Sequence, residues 1–385
     1  MTESTITGSN GAATEAQHKA GLEGIVAATT AISNVDGQAG RLIYRGYDIH
    51  DLAHATTFEE IAYLLWFGRL PTRAELSELQ TQLQEQRHLP EGILTILSDL
   101  PSETAPMDVL RTAVSAWGVY NHVQGTPTID QVIALTACIP LILATFHRLR
   151  QGLEPLQPRF DLGHTAHYLY LLTGQEPDPE HVKGLDAYLV MLADHNMNAS
   201  TFTARIIAST ASDLASAVVA AICALKGPLH GGAADKSQEM LAAIGTAENA
   251  DLWMRATLAR GGRLMGFGHR AYKTTDPRAE ELREMARQAD PVCFIFARHV
   301  EKRAIAILDE TKPGRRLYTN VDFYSAVLLN SVGIPVDLFT PTFAVARVVG
   351  WTAHILEQTS NNRLIRPLAE YTGPAELPFV PLAER

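Results

Sequence analysis

The chain has 385 residues, 46% of them hydrophobic and 19% charged, with a formal net charge of −10. That length holds one large domain or two unequal ones, and the balance is that of a globular protein. The negative charge argues against long-range attraction of nucleic acid. Cys138, Cys223 and Cys293 are odd in number and far apart; they read as buried reduced thiols, not as a disulfide framework or a metal set, which points to the cytoplasm. The apolar run Ala137 to Phe146 is too short for a membrane span and contains Pro140, so no membrane partner is expected.

Helical punctuation dominates the chain. Residues 1–18 are rich in small polar residues, lack the basic start and apolar centre of a signal peptide, and read as a disordered tail. Short strands are expected near Gly24–Ile32 and Arg41–Tyr44, where β-branched residues lie near glycines. Thr57 to Glu60 fits a capping box ahead of Ile61–Trp66, with a stop at Gly68 and Pro71, and Thr72 to Glu75 repeats the signal. Helices are then expected over Asp108–Trp117, Asp130–Arg150, Ala166–Leu172, Gly184–Ala193, Ser200–Thr210 and Asp213–Leu225, the last closed by Gly227-Pro228. One more begins near Ala233. The C-terminal part adds Asp276–Gln288, Val292–Leu308, Phe323–Leu329 and Thr342–Gln358. The fold class is therefore mainly α.

Four short motifs concentrate the chemistry: Asp194-His195-Asn196, Pro228-Leu229-His230-Gly231-Gly232, Gly266-Phe267-Gly268-His269 and Asn320-Val321-Asp322. His230 lies just before a helix start, where exposed amides and the positive dipole end disfavour imidazolium; a neutral ring there can donate to an oxygen gaining charge. The bland alternative is a helix-end histidine without chemistry, and it stands for His195 as well. His269 follows a glycine-dense loop that lets backbone approach a ligand. The loop also matches a dinucleotide fingerprint, but no βαβ alternation surrounds it. Arg278 follows Asp276, an N-cap, and Pro277; a cation there opposes the helix dipole, a conflict that a bound carboxylate relieves. Its alternative is a solvent-exposed arginine paired with Glu281 or Glu284. Arg347 interrupts an apolar helix and shares a face with Phe343 and Trp351, so its guanidinium needs an anion, either an internal carboxylate or a substrate. Asp322 is either a helix-start carboxylate or a general base raised by a partly dry cleft.

These motifs, in this order and over nearly the whole chain from Gly21 to Pro374, resemble the citrate synthase family. The resemblance implies a multi-helical fold with a large domain at 1–225, a smaller mobile domain at 226–335 and a return to the large domain at 336–385. It implies condensation of acetyl-CoA with oxaloacetate and hydrolysis of citryl-CoA, the entry step of the tricarboxylic acid cycle. Residue by residue, it makes Asp322 the base, His230 the holder of the thioester oxygen and His269 the group polarising the oxaloacetate carbonyl. His195, Arg278, Arg347 and Arg366 bind oxaloacetate and citrate, with Arg366 reaching the other subunit's site in a homodimer. Leu264, Met265, Gly266, Phe267 and Gly268 line the coenzyme A site, largely by backbone. No metal or cofactor is implied. The sequence departs from the family pattern at Asn196, where many relatives have glutamate, and at Ala234-Asp235, where many have asparagine-glutamate. The rivals are 2-methylcitrate synthase, acting on propanoyl-CoA, and a non-catalytic binder of coenzyme A or citrate. A three-histidine metal hydrolase is disfavoured, because His195, His230 and His269 are 35 and 39 residues apart and form no compact ligand motif.

Overall fold

The computed structural model describes residues 19–269, 271–315 and 317–385; the tail expected at 1–18 lies outside them. The chain divides into two units. The smaller comprises the termini, up to Thr29 and from Arg366, and carries short 3-10 turns at Ala20–Leu22 and Leu382–Glu384. Everything else belongs to the unit Thr30–Ile365.

That unit opens with an antiparallel meander, β1 (Ser33–Asp36), β2 (Arg41–Tyr44) and β3 (Tyr47–Asp48), in which Ser33 pairs with Tyr44 and Ile43 with Asp48. The expected strand at Gly24–Ile32 does not form. Gly24 has φ +72°, the Ile25 amide turns back to the Leu22 carbonyl and Val26 is 86% exposed, while Ile32 at the far end of the stretch is buried. The helices follow: α1 (Ile49–Ala55), α2 (Phe58–Phe67), α3 (Arg73–Glu85), α4 (Glu91–Asp99), α5 (Pro106–Tyr120), α6 (Ile129–Leu149), α7 (His164–Thr173), α8 (Pro179–Leu192), α9 (Ala199–Ser209), α10 (Leu214–Leu225), α11 (Ala233–Ile244), α12 (Ala250–Ala259), α13 (Pro277–Ala289), α14 (Pro291–Thr311), α15 (Val321–Ser331) and α16 (Phe339–Ser360).

Local chemistry explains many of these ends. Thr57 with Glu60, and Thr72 with Glu75, form both expected capping boxes, and Thr128 with Gln131 starts α6 the same way. α1, α4 and α12 were not expected; α4 and α12 start without a side-chain cap bond. α6 is 21 residues long with mean hydropathy 1.9, long and apolar enough to span a bilayer, contrary to the sequence expectation. Most of it is buried inside the protein, against α5, α7 and α16, as a helix apolar on all sides must be. α16 is the other buried axis and touches α2, α8, α9 and α10. Of the cysteines only Cys138 is buried; Cys223 is exposed and Cys293 partly so.

Candidate active site

His195 stands at a corner that the end of α8 builds. The preceding Asp194 is fully buried, and its carboxylate takes bonds from the Ser33 hydroxyl and, at 3.0 Å, from the Asn196 amide, with His354 Nε2 3.3 Å away. Burial pushes this carboxyl up, but His354, Arg347 and Ser33 outweigh it and hold it below its ordinary value. The Tyr44 hydroxyl accepts from the Asp194 amide at 3.0 Å and donates to the Asp194 carbonyl at 2.8 Å. Asn196 sits at φ +52°, a left-handed conformation that asparagine tolerates, and its amide group grips the Ser33 carbonyl at 2.6 Å. Gly350 of α16 presses from behind: a Cβ there would lie 2.3 Å from the Ala193 carbonyl oxygen. His195 Nε2 is 3.1 Å from the Tyr272 hydroxyl. Burial first, then the charges of Arg278 and Arg347 and the rings of His269 and His230, hold His195 well below its usual pKa.

His230 occupies a tight turn ahead of α11. Its amide bonds the Gly227 carbonyl and that of Gly231 bonds Leu225, both at 2.9 Å. The ring is neutral, pushed down to about 4, chiefly by burial and then by Arg347; the helix dipole invoked from sequence is not needed. His230 Nε2 lies 2.9 Å from the Ser200 hydroxyl, which accepts from the Trp351 indole at 3.0 Å and donates to Asn198 Oδ1 at 2.8 Å.

The glycine loop lies on the start of α15. The Gly268 amide donates to the Tyr318 carbonyl at 2.7 Å, and the Asn320 amide donates to Gly266 at 2.9 Å. Asn320 Nδ2 donates to the Gly268 carbonyl at 2.9 Å. A Cβ on Gly266 would sit 2.6 Å from Phe323 Cβ, and φ is +84° there, so only glycine fits. Leu264 and Gly266 are buried; Met265, Phe267 and Gly268 are half-buried. His269 Nδ1 accepts from the amides of Ala271 at 3.0 Å and Tyr272 at 3.2 Å. An amide only donates, so the neutral ring carries its hydrogen on Nε2. Burial, then Arg278, brings His269 down to about 4. The β1–β2 turn clamps this segment: Lys273 donates to the Gly37 carbonyl at 2.9 Å, and a Cβ on Gly37 would meet the Ala271 carbonyl oxygen at 2.1 Å.

Asp322 lies in the first turn of α15, whose N-cap, Asn320, accepts from the Asp322 amide at 3.0 Å. Burial raises its carboxyl to about 6; Arg278 opposes this, while Asp276 and Asp235 add to it. Arg278 is neither solvent-exposed nor paired with Glu281 or Glu284. It is buried and forks onto Asp276, with Nε to Oδ1 at 3.0 Å and Nη2 to Oδ2 at 2.8 Å. The N-cap itself thus supplies the carboxylate that relieves the dipole conflict. Arg347 is 1% exposed, donates from Nε to the Leu192 carbonyl at 2.6 Å, and lies over the Phe343 ring with Cζ 4.6 Å from its centroid. Among the described residues no carboxylate pairs with it. Burial lowers its pKa to about 10.

His195 thus feels the charges of Arg278, Arg347, His269 and His230, Asp322 feels that of Arg278, and the His195 and His269 rings are 5.6 Å apart. Arg366 belongs to the smaller unit and is exposed there. Sequence reasoning missed Ser200, although it stood at the start of the expected helix Ser200–Thr210. It also missed Tyr272, for which no local pattern spoke. These features define a class: an all-α enzyme with a raised carboxylate, neutral imidazoles and buried guanidiniums, equipped for acid–base chemistry on an anionic substrate. The sequence profile described as "Citrate synthase, C-terminal domain" matches residues 21–368. Citrate synthase 2 of Bacillus subtilis is 46% identical over 95% of this chain and 98% of its own length. A 2-methylcitrate synthase of Corynebacterium glutamicum is 38% identical over 96% and 99%. The citrate synthase of the archaeon Thermoplasma acidophilum, solved in ternary complex with carboxymethyl coenzyme A and oxaloacetate, superposes with a TM-score of 0.88 at 31% identity, covering 95% of this chain and 98% of that one. The chain belongs to the citrate synthase family, whose members are acyltransferases.

Proposed function

We propose that the protein condenses acetyl-CoA with oxaloacetate and hydrolyses citryl-CoA to citrate and coenzyme A. The observation that carries the residue roles is the split in ionisation: one carboxylate raised to about 6 and two histidines lowered to about 4. Near neutral pH this leaves Asp322 ionised and able to take the weakly acidic acyl α-proton, while both imidazoles stay neutral donors. His269 donates from Nε2 to the oxaloacetate carbonyl and protonates the alkoxide as the new bond forms. His230, neutral as well, holds the enolate oxygen of the thioester. Arg347 and Arg278, with His195, grip the diacid and aim its carbonyl; Arg278 does so while tethered to Asp276.

Residues Leu264 to Gly268 serve the coenzyme A side. The Gly266 carbonyl and both Gly268 peptide groups are engaged with 318–320, so backbone recognition falls to the other peptide groups of the loop. Residues 226–335 move against the rest as a small domain to exclude water until citryl-CoA has formed. The protein acts as a cytoplasmic homodimer, with Arg366 entering the neighbour's site. The reaction needs no metal or redox cofactor.

The test is thiol release with oxaloacetate, run in parallel with acetyl-CoA and propanoyl-CoA. Release that is faster with acetyl-CoA supports the reading. A clear preference for propanoyl-CoA makes the protein a 2-methylcitrate synthase, and no release with either overturns the assignment.

A further inference from the structure

We infer that Tyr272 is a positioning residue that holds His195 and His269 at a fixed spacing and thereby orders the oxaloacetate side of the site; this rests on the reading of those histidines given above. Tyr272 is 4% exposed and touches both rings in different ways. Its hydroxyl meets His195 Nε2 at 3.1 Å, and its amide donates to His269 Nδ1 at 3.2 Å. Its ring lies 5.6 Å from that of His195 and 4.8 Å from that of His269, centroid to centroid.

The two histidines sit in separate loops that Tyr272 brings together. His269 follows Gly266 and Gly268, both at positive φ, and its ring is oriented by the two amides after it. His195 lies in the turn between α8 and α9, and Asp194 and Asn196 anchor its backbone but not its imidazole. Tyr272 joins these two loops, while the Lys273 bond to Gly37 ties the tyrosine's own segment to the sheet. A neutral histidine oriented by a third group is the usual way to keep one tautomer facing a substrate. Here one residue orients two, His195 through its hydroxyl and His269 through its amide and ring.

Tyr272→Phe removes the hydroxyl and leaves the ring and main chain in place. Calorimetry should show about tenfold weaker oxaloacetate binding, the order of one lost hydrogen bond at a polar site. The KM for acetyl-CoA and the thermal midpoint should stay at parental values. A double-mutant cycle on oxaloacetate affinity then separates action through His195 from a general structural role: in a His195→Ala background, Tyr272→Phe should add less than about twofold. Full additivity overturns the inference. So does parental affinity in Tyr272→Phe when the parent itself turns over oxaloacetate and acetyl-CoA. A parent without thiol release overturns the functional reading, and this inference falls with it.

Discussion

Replacing Asp322 with asparagine should abolish turnover and at the same time stabilise the fold. The carboxyl is displaced from 3.8 to about 6, mainly because burial penalises its charge. At about 1.4 kcal/mol per unit this is ~3 kcal/mol of native-state cost once the group is ionised. Partial solvent contact of Asp322 lowers the expected figure to ~1–3 kcal/mol. A raised acid pKa means that the native state holds more protons than the unfolded chain between about pH 4 and 6. Stability attributable to this group therefore falls as pH rises through that window and stays low above it. Asparagine carries no such charge, so Asp322→Asn should unfold at higher urea than the parent at pH 8 and match it near pH 4. Turnover should fall by more than a hundredfold, because an amide cannot take the α-proton. In the parent, kcat/KM should decline below about pH 6, before His230 and His269 protonate near 4. Urea titrations at the two pH values and a pH–rate profile test this. A variant that is less stable at pH 8, or one that keeps activity within tenfold of the parent, would refute the reasoning.

Gly350→Ala places a Cβ 2.3 Å from the Ala193 carbonyl oxygen and 2.6 Å from Asp194 Oδ1; it should lose ~1–3 kcal/mol in urea titration and bind oxaloacetate more weakly, because the His195 corner shifts. Ser200→Ala removes the hydroxyl shared by His230 and Trp351, and kcat should drop about tenfold with oxaloacetate affinity retained by calorimetry. Homodimers of Arg366→Ala and of Asp322→Asn should both be nearly inactive, whereas verified heterodimers of the two should recover roughly half the parental activity per dimer by site counting; inactive heterodimers would end the proposal that Arg366 acts in trans.

Much of this molecule is written locally. Thr57, Thr72 and Asp276 announce helix starts because a cap bonds amides two or three residues away, and Arg347 announces itself as a charge inside an apolar run. What stayed hidden depends on contacts across the chain. Gly37 looks like any turn glycine until the Ala271 carbonyl oxygen is found against it. Tyr272 looks like an ordinary aromatic until its hydroxyl is seen on His195, 77 residues away. Arg278 has acidic neighbours ahead of it on α13, Glu281 and Glu284, that invite a surface pairing, while its partner lies two residues back, at the cap. The strand expected at Gly24–Ile32 failed for a related reason: β-branched residues favour a sheet only where a neighbour offers a face to cover.

On the proposed reading, the guanidinium of Arg347 couples folding stability to the diacid it binds. A buried cation held by one carbonyl and an aromatic face weakens the native state until an anion arrives, and any diacid that fills that role adds stability in proportion to the logarithm of its concentration.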